Sequence, residues 1–175
     1  MLKQCCLGIV CGAMLFSAAA QNKPLPKQVE RGRELFLHSP KGTPCATCHA
    51  IAGLGNAVGP DLKPLASVVP PRGMVMAIKM DMTENVQEVK TTTGSFPGIL
   101  KQKEGDEVQV WDLSQTPPVL RKLAAKDIVS MVRTEKWGHP PTSAGYTSQE
   151  LADIIAFLKW AASGSVKEVK ADDIE

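Results

Sequence analysis

Apolar residues recur at helical spacing toward both ends of the chain and alternate with polar ones in its middle. Between Lys27 and Leu37, Val29, Gly32 and Phe36 fall on one stripe that Leu35 widens, which predicts a first helix. A short second helix is expected from Arg72 to Met80, behind Pro70-Pro71, because proline suits a helix's first turn. The last helix has the clearest pattern. Leu151, Ile154, Ile155 and Leu158 repeat at i, i+3, i+4 and i+7, Thr147-Ser148-Gln149-Glu150 reads as a capping box before them, and Ser163-Gly164 ends the run. Charges alternate over 165–175, which reads as a frayed, flexible tail.

The middle of the chain changes period. Val86 to Thr93 is rich in strand formers and meets a turn at Gly94-Ser95; Phe96 to Lys101 makes a return strand, with Pro97 marking an edge or a bulge. Glu107 to Trp111 alternates apolar and polar residues, and Val119 to Leu123 follows a further turn. These four strands predict a small antiparallel meander or partly closed barrel over 86–123, after which Lys126 to Val132 returns to the helical body. The expected fold is mainly α: a helical domain over 21–85 and 124–164, interrupted by the β insertion at 86–123.

Residues 1–20 read as a signal peptide. Lys3 supplies a positive start, Leu7 to Phe16 a short apolar run, and Ala18-Ala19-Ala20 small residues before a cleavage point ahead of Gln21. An uncleaved anchor is the alternative, although the run is short for a membrane span. A lipidated cysteine is disfavoured, because Cys11 follows Gly8-Ile9-Val10 without the small residue expected just before it. Cleavage would place the protein in the periplasm or outside the cell. It would also remove Cys5, Cys6 and Cys11, leaving Cys45 and Cys48 as the remaining thiols. Basic and acidic residues, 20 against 18 in the whole chain, stay nearly balanced without Lys3, which argues against a nucleic-acid binder. What remains is long enough for one compact domain or for a small one carrying an insertion.

The candidate chemistry is concentrated in Cys45-Ala46-Thr47-Cys48-His49, a C-x-x-C-H of the kind that attaches haem c. Two thiols at that spacing add across the porphyrin's vinyl groups, and the adjoining imidazole becomes the proximal iron ligand. A zinc site would need a second ligand pair at finger spacing, and no cysteine follows Cys48. A redox pair would not need the histidine. His38 reads as a solvated loop residue. Together with Leu35-Phe36 before it and Gly59-Pro60-Asp61-Leu62 after it, the motif resembles class I c-type cytochromes. More narrowly, it is similar to the exported monohaem domains associated with bacterial sugar-dehydrogenase-like proteins. The resemblance implies one covalent haem c and a Pro60 carbonyl that accepts a hydrogen bond from Nδ1 of His49. It also implies a crossing of the first and last helices, where Gly32 would meet Phe157 or Trp160; a tolerated surface glycine is the plain alternative.

The family's distal ligand is a methionine followed by proline just before the last helix. This chain has Trp137-Gly138-His139-Pro140-Pro141 there, and no methionine follows Met131. His139 is therefore the expected distal ligand, opposite His49. Met131 or one of Met74, Met76, Met80 and Met82, with Met80 named first among these, is the fallback, although those four are more simply read as packing. An open site, with His139 serving a bound small molecule, is the third option. Two imidazoles favour a low-potential electron carrier over an enzyme. The reading is a periplasmic monohaem cytochrome that passes single electrons between transient redox partners, with a periplasmic dehydrogenase as a candidate donor, no nucleic acid partner and no membrane span once the leader is removed. Its rivals are a haem sensor or peroxidase with an exchangeable site, and a subunit docked permanently to a larger dehydrogenase. The β insertion is either decoration or a docking surface, while Trp111, Trp137 and Tyr146 are either partner-facing or packed against core and haem.

Overall fold

A computed structural model of the protein describes residues 24–80, 85–139 and 145–175. The expected signal peptide at 1–20, Met82 and Pro140 lie outside the described residues. The first helix, α1, spans Lys27–Leu37, and after it a 3-10 turn at Cys45–Thr47 carries the thiols. A two-stranded ribbon follows, β1 (Ala50–Ile51) and β2 (Leu54–Gly55). Next come α2 (Leu62–Val68) and α3 (Pro71–Lys79). The short α2 was not anticipated from the pattern. Asp61 caps it by accepting from the Lys63 backbone N–H, and Pro64 is tolerated because it falls in the first turn, where no intrahelical N–H bond is lost.

The strands β3 (Gln87–Thr91), β4 (Gly94–Glu104), β5 (Glu107–Asp112), β6 (Val119–Ala124) and β7 (Ile128–Arg133) form one antiparallel sheet in the order β6-β5-β4-β3-β7. The last helix, α4 (Ser148–Ser163), has the full capping box of Thr147 and Glu150 and a left-handed Gly164 at its end.

The chain is thus mixed α and β, which corrects the expectation of a mainly α fold. A five-stranded sheet stands beside the helices, and it runs on past 123 because β7 adds to it. Ile128-Val129-Ser130-Met131-Val132 is rich in β-branched residues, and β3 offers it a free edge; Val89 pairs with Met131 across that edge. The expected return of 126–132 to the helical body is replaced by this strand. Because β7 lies beside β3, the chain enters and leaves the sheet side by side, with the Thr134 N–H donating to the Val86 carbonyl at 3.2 Å.

Two cores result. In the larger, α1 crosses α4 with the Phe36 and Phe157 rings 5.4 Å apart. Gly32 makes the crossing possible: a Cβ there would fall 1.9 Å from the Asp153 carbonyl oxygen and 2.9 Å from Cβ of Phe157. Asp153, buried at the same crossing, accepts from Arg31 Nε at 2.7 Å, Gln149 at 2.9 Å and Gln28 at 3.1 Å. The smaller core is Val89, Phe96, Val108 and Val110 on one face of the sheet.

The segment 165–175, expected to fray, is packed: Val169 and Ile174 are buried in the helical core. Gln28 clamps Val169 by donating to its carbonyl at 2.6 Å and accepting from its N–H at 3.1 Å. Two apolar residues scattered among charges carry too little periodicity to be read as a docked strap.

Candidate functional site

The local fold around the motif follows from its turn residues. The 3-10 turn lets the His49 N–H donate to the Cys45 carbonyl at 2.9 Å, and the loop beyond β2 wraps back so that the Val58 and Gly59 N–H groups donate to the Cys48 carbonyl at 3.1 and 2.7 Å. Gly59 lies against the imidazole. A Cβ there would sit 2.9 Å from Cε1 of His49, so only glycine leaves the ring its place. The next residue, Pro60, accepts a hydrogen bond from His49 Nδ1 at 2.9 Å. A carbonyl can only accept, so Nδ1 carries the proton and Nε2 presents its lone pair. Burial lowers the His49 pKa, against the opposing pull of the Pro60 bond, which favours the neutral, ligating form.

Cys45, Cys48 and His49 line a cavity with about 630 Å3 of empty space, its open mouth included. His139 lies on the same cavity, its ring centre 6.0 Å from that of His49 and the two planes inclined by 31°. The residues expected to act together, Cys45, Cys48, His49, Pro60 and His139, are therefore brought to one place. The fallback methionines are elsewhere: Met131 packs against the sheet core, Met80 is exposed at the end of α3, and neither lines the cavity. Met74 is buried in the helical core and Met76 is exposed. His38 is exposed on the surface beside Glu34.

The sequence pattern did not indicate that the sheet supplies a wall of this cavity. Asn85 and Val86 at the start of the sheet, Ile99 on β4 and Leu113 just beyond β5 face it, with Val58 from the motif's own loop. Asn85 apart, their apolar character was legible, but the face they share depends on register. Trp137 also lines the cavity, and Tyr146 packs against the helical core. Trp111 keeps a buried Nε1 without a partner, under the cation of Lys101.

The two thiols are unpaired. Burial pushes Cys45 up to about 11 and raises Cys48 as well, so both stay protonated at neutral pH, unlike the thiolate of a disulfide-exchange pair. Among the described residues no group of three or more His, Cys, Asp or Glu converges to hold a bare metal ion, and no helix is long and apolar enough to cross a membrane.

The chain matches no protein-family model, and no curated protein is significantly similar to it.

Proposed function

We propose that this chain is an exported monohaem c-type cytochrome that carries single electrons between redox partners, with haem c joined to Cys45 and Cys48 and its iron held by His49 and His139. The observation that carries the proposal is the 6.0 Å between the two ring centres, across a cavity that both thiols line. At that separation His49 and His139 could hold one group between them. The residues fit the group in a second respect. Haem c would ask the protein only for thiols and histidines, so Cys45, Cys48, His49 and His139 would hold it without any larger ligand cluster.

When bound, haem c supplies a one-electron iron couple. The chain's own residues do the rest. Pro60 holds the proton on Nδ1 of His49 and makes that imidazole a stronger donor. Val58, Val86, Ile99 and Leu113 line the cavity with apolar groups and would keep water from a group bound there. Held by both His49 and His139, haem c would favour electron transfer over substrate chemistry, at a potential below that of Met/His cytochromes. The mixed fold does not weigh against this reading, because haem attachment is a property of the site.

The test is the ferric absorption and EPR spectrum of the haem-loaded protein beside His139→Ala. The expected result is a low-spin wild type, without the band of sulfur ligation, that becomes high-spin in the variant. A sulfur band that survives the substitution would assign the iron to a methionine. A wild type that is already high-spin would make the protein a sensor or peroxidase instead.

A further inference from the structure

His139 does not stand alone on its side of the cavity. The indole of Trp137 lies nearly perpendicular to its ring, at 79°, with ring centres 6.4 Å apart, the edge-on arrangement that aromatic quadrupoles favour. Trp137 also lines a second cleft, whose other walls include Glu88 on β3 and Phe96 and Pro97 on β4. The segment that carries both aromatics is tied down at its start. The Thr134 N–H donates to the Val86 carbonyl at 3.2 Å, the buried Thr134 hydroxyl accepts from the Lys136 N–H at 3.2 Å, and the chain reaches Trp137 at the next residue.

We propose that Trp137 is the positioning residue of His139: its indole, on a segment anchored at Thr134, sets the rotation of the imidazole and so keeps the planes of His49 and His139 near the 31° seen here. The inference rests on the paired-imidazole reading above. Its consequence is electronic as well as steric. Two imidazoles with nearly aligned planes act on the same iron d orbital and split the d levels unequally, which gives a rhombic low-spin EPR spectrum; crossed planes give a large-gmax signal instead. A ring held by its neighbour also yields its place to an incoming ligand more slowly.

The experiment compares haem-loaded full-chain protein with Trp137→Ala, Trp137→Phe and His139→Ala, by ferric EPR and by the rate of cyanide binding. Wild type is expected to be rhombic and slow. W137A is expected to show changed g anisotropy and to bind cyanide roughly three- to tenfold faster, the scale of one lost aromatic pair. W137F, which keeps a ring edge, should return both readouts most of the way to wild type. A W137A protein with the wild-type spectrum and rate overturns the inference, as does a W137F protein no closer to wild type than W137A. If W137A does not take up haem, Trp137→Leu, which keeps bulk without a ring, replaces it with the same expected and overturning results. H139A separates the two layers of the argument. High-spin H139A with wild-type-like W137A sinks only the positioning role, whereas H139A that keeps the wild-type spectrum removes the ligand assignment and this inference with it.

Discussion

The helical half and the sheet each bring one histidine to the cavity, and they hold it by different means. His49 sits in a wrapped loop beside the larger core, fixed by the Pro60 carbonyl and by the space Gly59 leaves. His139 arrives at the end of a short segment leaving an edge strand, over a core of four buried side chains. Among the described residues no helix packs broadly on the five-stranded sheet, so the two halves meet chiefly at the cavity. The lesson is that the His49 side of the cavity is a product of local sequence, whereas the His139 side depends on the assembly of a sheet. A group bound between them would also tie the halves together and raise the stability of both.

The strongest way to break this comparison is Gly32→Val. With a backbone oxygen 1.9 Å from the new Cβ and helix on both sides, α1 and α4 must separate. A loss of about 3 kcal/mol or more is expected, and thermal melting followed by circular dichroism checks it. A melting point within a few degrees of the wild type would show that the crossing is looser than it looks.

Val110→Ala probes the other half. Val110 is fully buried in the small sheet core, and its truncation should cost about 2 kcal/mol. If the halves are as separate as their packing implies, the haem-free protein melts in two steps and only the sheet's step moves. A single transition that shifts as a whole would show them to be one cooperative unit.

The smallest expected effect is at the helix crossing again, through charge. Burial pushes the Asp153 carboxyl up, but hydrogen bonds from Arg31, Gln149 and Gln28 outweigh it and hold the pKa below the ordinary carboxylate value. A carboxyl depressed in the folded state adds stability above its unfolded pKa of about 4, and that stability is lost as pH falls through the folded value. Arg31→Ala should therefore cost about 1–2 kcal/mol at pH 7, less than a fully enclosed pair because the guanidinium is half exposed. Its gap from wild type should narrow below about pH 4 as Asp153 protonates. Urea titrations at pH 7 and pH 3 test this, and a gap that stays constant with pH would remove the linkage.

Much of this molecule was legible before folding. α1 and α4 declare themselves because a single amphipathic stripe and a capping box are local signals, complete within one or two turns of chain. The C-x-x-C-H motif is local for the same reason, and the bond from His49 to Pro60, which the resemblance to class I cytochromes implied, spans only eleven residues. Four strands could be read from their alternation. The fifth could not, since Ile128 to Val132 is almost continuously apolar and shows no period, and its place beside β3 is a pairing across the whole insertion. The mainly α expectation failed on that strand and on the length of β4, which runs eleven residues through what reads as the approach to a turn.

By itself, then, the sequence determined the helices at either end, the turn-wrapped C-x-x-C-H motif, and the presence of a β-rich middle, all features whose causes lie between near neighbours in the chain. Only the tertiary structure decided that His139 faces His49, that Val86, Ile99 and Leu113 form a wall of the cavity, and that Val169 and Ile174 are buried. Those depend on strand register and on which edge the last strand joins, choices made by packing between residues far apart in sequence.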